Sequence, residues 1–347
     1  MDSPLLATTP GAVAADIPDV GVAAHYGDPF AEQRALAEAA GLVDRSNRDV
    51  LRITGQDRLS WLNSISTQKV DDLAPGSARQ TLILSPHGHV EHHLSLVDDG
   101  DATWIHVEPG EAASLLEFLE SMRFMLRVEA ADVGAGYAVL TVMGPEVKPD
   151  VADVAGAAGA AGTGAAMDFG YGTDLVVPRD AIADVAAALR DRGCRLAGML
   201  AHEALRIAGH RPRFGTDTDH RAIPHEMGWI SSAVHLDKGC YRGQETVARV
   251  HNLGHPPRRL VMLHLDGSED ALPAHGDEVR NEEATVGFVG SSARHYELGP
   301  IALALVKRTV PVAATLTVAG ISAAQEVIVP PDAGANVKIS IGRRRDR

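Results

Sequence analysis

The residues best equipped for chemistry lie in one stretch, Lys238-Gly239-Cys240-Tyr241-Arg242-Gly243-Gln244-Glu245, followed by Thr246-Val247-Ala248-Arg249. It combines a cation, two glycines, a thiol, an aromatic ring, an amide and a carboxylate, with little that fills a hydrophobic core. Glycine lets backbone approach a ligand closely, and Lys, Tyr, Gln and Glu supply donors and acceptors. Cys240 is flanked by Lys238 and Arg242, and neighbouring cations raise the thiolate fraction of a cysteine. The ordinary alternative is a small buried hydrophobe, a common role of free cysteine.

Other charged groups gather nearby. Between positions 238 and 259 there are five cations (Lys238, Arg242, Arg249, Arg258, Arg259) and one acid, Glu245, in a chain whose 32 basic and 46 acidic residues give a net charge of −14. With Arg211 and Arg213 they form a candidate anion pocket, because guanidinium forks suit carboxylates; ordinary surface ion pairs are the alternative. Glu226, after Ile223-Pro224-His225, is the acid singled out to accept paired N–H groups from a heterocycle edge, whereas Asp217, Asp219 and Asp237 read as turn caps. His87, His89, His92 and His93 match no zinc spacing, and strand alternation puts His92 on the opposite face from His89 and His93. No metal site is expected.

The acidic balance opposes nucleic-acid binding, which needs cations against phosphate. Hydrophobic residues make up 45% of the 347, without a run long enough to span a bilayer. Met1 to Val20 lacks the basic start of a signal peptide and reads as a frayed tail. Cys194 and Cys240 alone suggest a reducing cytoplasm and no disulfide framework.

The elements that must position these residues follow from local signals. Asp28-Pro29 starts a helix that Gly41 is expected to close. Asp49–Thr54 alternates as a strand, and Asp57 caps a second helix. Gln80–Ser85, Val90–Val97 and Thr103–Val107 form a meander, then a helix spans Glu111–Met122 and a strand Tyr137–Met143. Residues 151–166, nearly all Ala and Gly, read as a flexible connector. A strand at Leu175–Val177, an Asp180-capped helix stopped by Gly193, and a helix near Gly198–Ile207 follow. After Pro256-Pro257, short apolar runs at Leu260–Leu265, Thr285–Val289, Ile301–Val306, Ala314–Val318 and Val327–Val329 predict a small all-β domain.

The octet resembles the Lys-Gly-Cys-Tyr/Phe-x-Gly-Gln-Glu signature of the YgfZ family, folate-binding proteins that support maturation or repair of iron–sulfur enzymes and are related to the glycine cleavage T-protein, an aminomethyltransferase. Gly41–Ser46, Ile53–Asp57 and Arg211–Gly215 add to the likeness, and Arg249–Gly254 is similar to actinobacterial members. The resemblance implies an α+β fold with two mixed lobes around a central channel in residues 25–255, after a disordered tail at 1–24, and a C-terminal β-barrel in 256–347. It implies tetrahydrofolate as ligand, iron–sulfur enzymes or assembly factors as partners, Cys240 and Lys238 as the catalytic centre, and Glu226, Gly239, Tyr241, Arg242, Gly243, Gln244, Glu245, Arg249 and Arg259 as cofactor-binding residues. His92 and His93 stand where the T-protein has an acidic pair, and Ala208 where it has a pterin-binding glutamate. Classical aminomethyl transfer is therefore not expected. A folate-dependent one-carbon transferase or demethylase is the alternative, and a folate sensor without chemistry a third reading.

Overall fold

A computed structural model describes residues 2–147, 151, 153, 165–268 and 271–336. Residues 2–24 are folded, against the expectation of a disordered tail. Helix α1 (Pro4–Thr8) is capped by Ser3, whose hydroxyl accepts from Leu5 N and also bonds Asp44, and strands β1 (Val13–Ala14) and β2 (Ala23–His25) pair antiparallel. Asp19 is buried and receives two bonds from Arg213, 194 positions away. The segment's composition conceals this order because its partners are distant in sequence.

Helix α2 (Pro29–Glu38) begins as predicted, with Asp28 Oδ1 accepting from Phe30 N at 3.0 Å and Ala31 N at 3.1 Å. Gly41 does not close it but opens strand β3 (Gly41–Asp44). A Cβ there would sit 2.5 Å from Leu36 Cδ2, so glycine lets the strand lie directly against the helix. Strand β4 (Asp49–Thr54) leads into α3 (Arg58–Ile65). Asp57 stands at its N-cap, yet its carboxylate bonds Arg127 instead of the helix's N–H groups.

The predicted meander forms β5 (Ala78–Leu84), β6 (Val90–Asp98) and β7 (Ala102–Val107), followed by α4 (Ala112–Ser121) and β8 (Glu129–Asp132). These strands make a five-stranded sheet in the order β5-β6-β7-β4-β8. A second sheet combines β9 (Tyr137–Met143), β10 (Ala165–Asp168), β11 (Thr173–Pro178) and β12 (Arg195–Ala197) with β3, in the order β10-β11-β9-β3-β12. Only the β12–β3 pair in it is parallel. Most of the Ala/Gly connector lies outside the described residues, but Ala165 and Ala166 pair with Val176 and Leu175 in β10, so its end is ordered strand. Helix α5 (Ile182–Asp191) packs on this sheet, α6 (Met199–Ala208) follows β12, and a short α7 (Ile230–Ala233) comes after it.

The C-terminal barrel is closed, in the order β13 (Arg258–Leu265), β16 (Gly299–Lys307), β15 (Ala284–His295), β14 (Glu278–Asn281), β17 (Leu316–Val318), β18 (Ile321–Val327). The run Thr285–Val289 is the first part of the twelve-residue β15, and Val327 ends β18, so Val327–Val329 is not a separate strand. Period-2 alternation decides its packing. Val261, Leu263, Val289 and Ala304 fill the interior, while Leu260, Met262, Leu303 and Leu305 pack outward against Trp229 and Tyr241. The two α/β lobes and barrel expected from the sequence are thus present. No helix among the described residues is long and apolar enough to cross a membrane.

Candidate functional site

A cavity of about 730 Å³ opens where the two sheets, α6 and the segment Met227–Ser232 meet. Such a volume suits a small organic ligand. Its wall carries ionisable groups set within or beside apolar elements, several of them joined in one buried chain. Arg213 donates from Nη1 and Nη2 to Asp19 at 2.8 Å each and from Nε to Glu108 Oε2 at 2.6 Å. Glu108 Oε1 accepts from Arg48 Nη1 at 2.6 Å, and Arg48 Nε donates to His106 Nδ1 at 2.9 Å. His106 Nε2 lies 2.9 Å from Asp174 Oδ2, while Asp174 Oδ1 accepts from Thr141 at 2.6 Å and Arg45 at 3.2 Å. Arginine can only donate, so His106 Nδ1 carries no proton and its Nε2–H faces Asp174.

Helix α6 contributes Glu203 and Arg206, three apart and hence on one face. Arg206 Nη2 reaches Glu203 Oε2 at 2.7 Å and its Nη1 reaches Asp217 Oδ2 at 2.8 Å. Burial works to raise the Glu203 carboxyl, but Arg206 and Arg213 hold it well below the usual range. Glu108 and Asp174 are likewise held low by their arginines, against burial. Across the cavity the His93 ring packs on Trp229, with centroids 4.7 Å apart, and its Nε2 has no protein partner. His92 points away to Glu111 and Phe118, as strand alternation requires.

These imidazoles set an acid limit. Burial pulls His93, His106, His202 and His225 down to about 4. As pH falls below the unfolded value of about 6.5, the unfolded chain takes up protons that the folded one refuses, so stability drops progressively towards pH 4. Each histidine contributes on the order of 1–3 kcal/mol. The depressed carboxyls extend the loss below pH ~4, where the unfolded chain protonates them first. The urea midpoint is therefore expected to fall steeply between pH 6.5 and 4; a flat profile would contradict neutral burial of these rings.

The octet does not line the cavity. Lys238 is buried and its ammonium donates to the carbonyls of Asn63, Ser66 and Gln68 at 2.5, 2.7 and 2.7 Å, binding the end of α3. Arg242 pairs with Glu91 at 2.7 Å and lies over Phe118, so both cations that flank Cys240 are engaged elsewhere. Tyr241 belongs to the core beneath the barrel, where burial pushes its hydroxyl up to about 12. Gly243 has φ +82°, and a Cβ there would meet Ser85 O at 2.6 Å, so glycine alone permits this close approach. Gln244 and Glu245 are not loop residues but begin helix α8 (Gln244–Asn252), with the Gln244 amide donating to Lys238 O at 3.3 Å and Glu245 exposed. Gly239 and Cys240 are exposed, as is Arg249 on α8.

The remaining expected cofactor residues are also apart from the cavity. Glu226 is fully buried, holds Arg258 at 2.9 and 2.8 Å and does not line the cavity. Arg259 is buried in the barrel, donating to Gln325 at 2.8 Å and Val310 O at 3.2 Å. Of the proposed cationic pocket, only Arg211 and Arg213 reach the cavity. No group of three or more His, Cys, Asp or Glu suited to a metal occurs among the described residues. Sequence reading missed Asp19, Arg45, Arg48, His106, Glu108, Asp174, Glu203 and Arg206. The available signal was an ionisable residue inside an otherwise apolar element, as at His106 in Thr103–Val107 and Asp174 before Leu175–Val177.

Two lobes, a closed barrel and a central charged cavity define a T-protein-like architecture. Residues 11–163 match the GCVT N-terminal domain, and residues 258–342 match the glycine cleavage T-protein C-terminal barrel domain. The chain thus resembles T-protein-like proteins through both an N-terminal and a C-terminal domain match. It is 26% identical over 302 residues to the aminomethyltransferase of Nostoc sp., covering 79% of each chain, and 26% identical over 305 residues to that of Bacillus subtilis, covering 79% of this chain and 82% of the relative. The aminomethyltransferase T of the glycine cleavage system from Bartonella henselae shares the fold, with a TM-score of 0.76 and 18% identity over 92% of this chain and 94% of that one.

Proposed function

We propose that the cavity receives a reduced folate and that the protein is a tetrahydrofolate-binding accessory factor for maturation or repair of iron–sulfur enzymes. The carrying observation is the Glu203 carboxylate, ionised by Arg206 and Arg213, in a cavity of about 730 Å³ that also holds the His93–Trp229 ring pair. A pterin's amino and ring N–H groups are parallel donors that pair with one carboxylate, and Trp229 supplies an aromatic wall. Glu203 would take the role that Ala208 cannot. Facing the cavity, strand β6 offers His93 and Ser95 rather than a carboxylate, and a neutral imidazole stabilises a developing cationic iminium poorly. This favours binding over aminomethyl transfer. Cys240, exposed on a loop fastened by Lys238, is then the group offered to iron–sulfur partner proteins.

Domain organisation shared with aminomethyltransferases over about four-fifths of both chains favours a second reading, a folate-dependent one-carbon transferase. Anaerobic calorimetry with tetrahydrofolate tests the first. Saturable binding is expected, weakened about tenfold or more by Glu203→Gln, the cost of roughly one charge-assisted hydrogen-bond pair, and unaffected by Cys240→Ser. Absence of saturable binding would remove the folate reading. Turnover of an aminomethylated or methylated donor with tetrahydrofolate would replace the accessory role with the second reading, and unchanged client-enzyme activity in cells carrying Cys240→Ser would remove the thiol's part.

A further inference from the structure

Leaving aside the exposed Arg79, one cation of the cavity is unlike its neighbours. Arg45, Arg48, Arg206 and Arg213 each pair with an aspartate or glutamate. Among the described residues Arg211 has no carboxylate within ion-pair distance, and burial, Arg206 and Arg45 disfavour its charge more than Tyr171 and Glu203 favour it. Its guanidinium lies 4.1 Å over the Tyr171 ring centre, and Nη2 is buried without a hydrogen-bond partner. Stacking holds the plane of the group while leaving its N–H edge available.

Two features keep that position fixed. The Tyr171 hydroxyl lies 3.3 Å from Gln80 Nε2, and the ring stacks on Phe169 at 5.9 Å between centres. On the other side, a Cβ at Gly209 would lie 3.2 Å from Arg211 Nη1, so glycine preserves space around the guanidinium. A half-buried donor fork with one nitrogen fully enclosed and no carboxylate partner is costly unless a ligand supplies the anion.

We infer that Arg211, held on Tyr171, receives a carboxylate of the cavity's ligand. A planar monoanion matches the fork, and a phosphate dianion would meet the carboxylates of Glu108, Asp174 and Glu203 lining the same space. The carboxylate comes either from the glutamate tail of a pteroylglutamate, which rests on the folate reading, or from a separate small carboxylic acid, which does not.

Calorimetry with wild type, Arg211→Met and Arg211→Lys separates these sources, using tetrahydrofolate, tetrahydropteroate, p-aminobenzoyl-L-glutamate, glycine and acetate. For a tail carboxylate, Arg211→Met weakens tetrahydrofolate and p-aminobenzoylglutamate binding at least tenfold and leaves tetrahydropteroate unchanged. For a separate acid, both folates are unaffected and glycine or acetate binding is lost. Arg211→Lys keeps the charge without the fork and gives an intermediate loss in either case. If tetrahydrofolate does not bind wild type, the folate reading fails by itself, while the three pterin-free probes still test Arg211. The urea midpoint provides the second readout: removing a half-buried charge that has no carboxylate partner leaves it unchanged or raises it. Equal binding of every carboxylate by wild type and Arg211→Met, failure of wild type to bind any carboxylate probe, or a fall in midpoint with unaltered binding overturns the assignment.

Discussion

Replacing Arg213 with methionine is expected to cost about 3–5 kcal/mol of folding free energy, the range for removing one partner of a buried ion pair. Arg213 is where the N-terminal segment, the β7 end and the α6 loop are joined. Its Nη atoms hold both Asp19 oxygens, its Nε holds Glu108, and its backbone N–H donates to Asp217 at 2.7 Å. Methionine fills similar volume but leaves Asp19 without its guanidinium and Glu108 with Arg48 alone. Urea unfolding at pH 7 measures the loss. Limited proteolysis adds a local reading, because residues 2–24 should become cleavable once Asp19 is released. The double variant Asp19→Asn/Arg213→Met should recover part of the cost, since the stranded charge is then gone. A single-variant cost below about 1 kcal/mol would mean that the pair behaves as a surface salt bridge.

The second large effect is expected at Lys238. Lys238→Met removes charge-assisted bonds to three carbonyls and should destabilise by about 3 kcal/mol, less than a sum of independent bonds because they share one ammonium. The carbonyls belong to the end of α3 and the turn beyond it, where helical oxygens lack intrahelical donors and a cation is favourable. Cys240→Ser, two residues away on an exposed loop, should change stability by less than about 0.5 kcal/mol. Thiol titration of the native protein should therefore find Cys240 fast and the buried Cys194 slow. Equal stability losses in the two variants would refute the structural role of Lys238, and equal thiol rates would refute the exposure difference.

These expectations divide the octet into a fastening and a displayed part. Lys238, Tyr241 and Gly243 attach it to α3, to the core beneath the barrel and to the β5–β6 turn. Cys240 and Glu245 remain at the surface. The folate proposal and the thiol proposal consequently concern different places on the molecule, and each can fail without the other.

Local sequence determined much of the framework. Asp28-Pro29 specified the start of α2 through a side-chain cap and a fixed proline φ, period-2 alternation specified the Val90–Asp98 strand and the opposite facing of His92 and His93, and apolar runs divided by Gly and Pro specified the barrel. The octet was legible as a chemically distinct stretch from its residue types alone. Its placement was not, because a cation followed by glycine and cysteine reads the same whether the ammonium faces a thiolate, a ligand or three carbonyls. Only tertiary structure decided that Asp19 would meet Arg213 and that Arg48, His106 and Asp174 would form one buried chain. Those groups are separated along the chain by as many as 194 positions, and an isolated charge on an apolar strand has no partner until the sheets close around it. The physical reason is desolvation: in water each charge is equally satisfied, and pairing is selected only when folding removes the solvent.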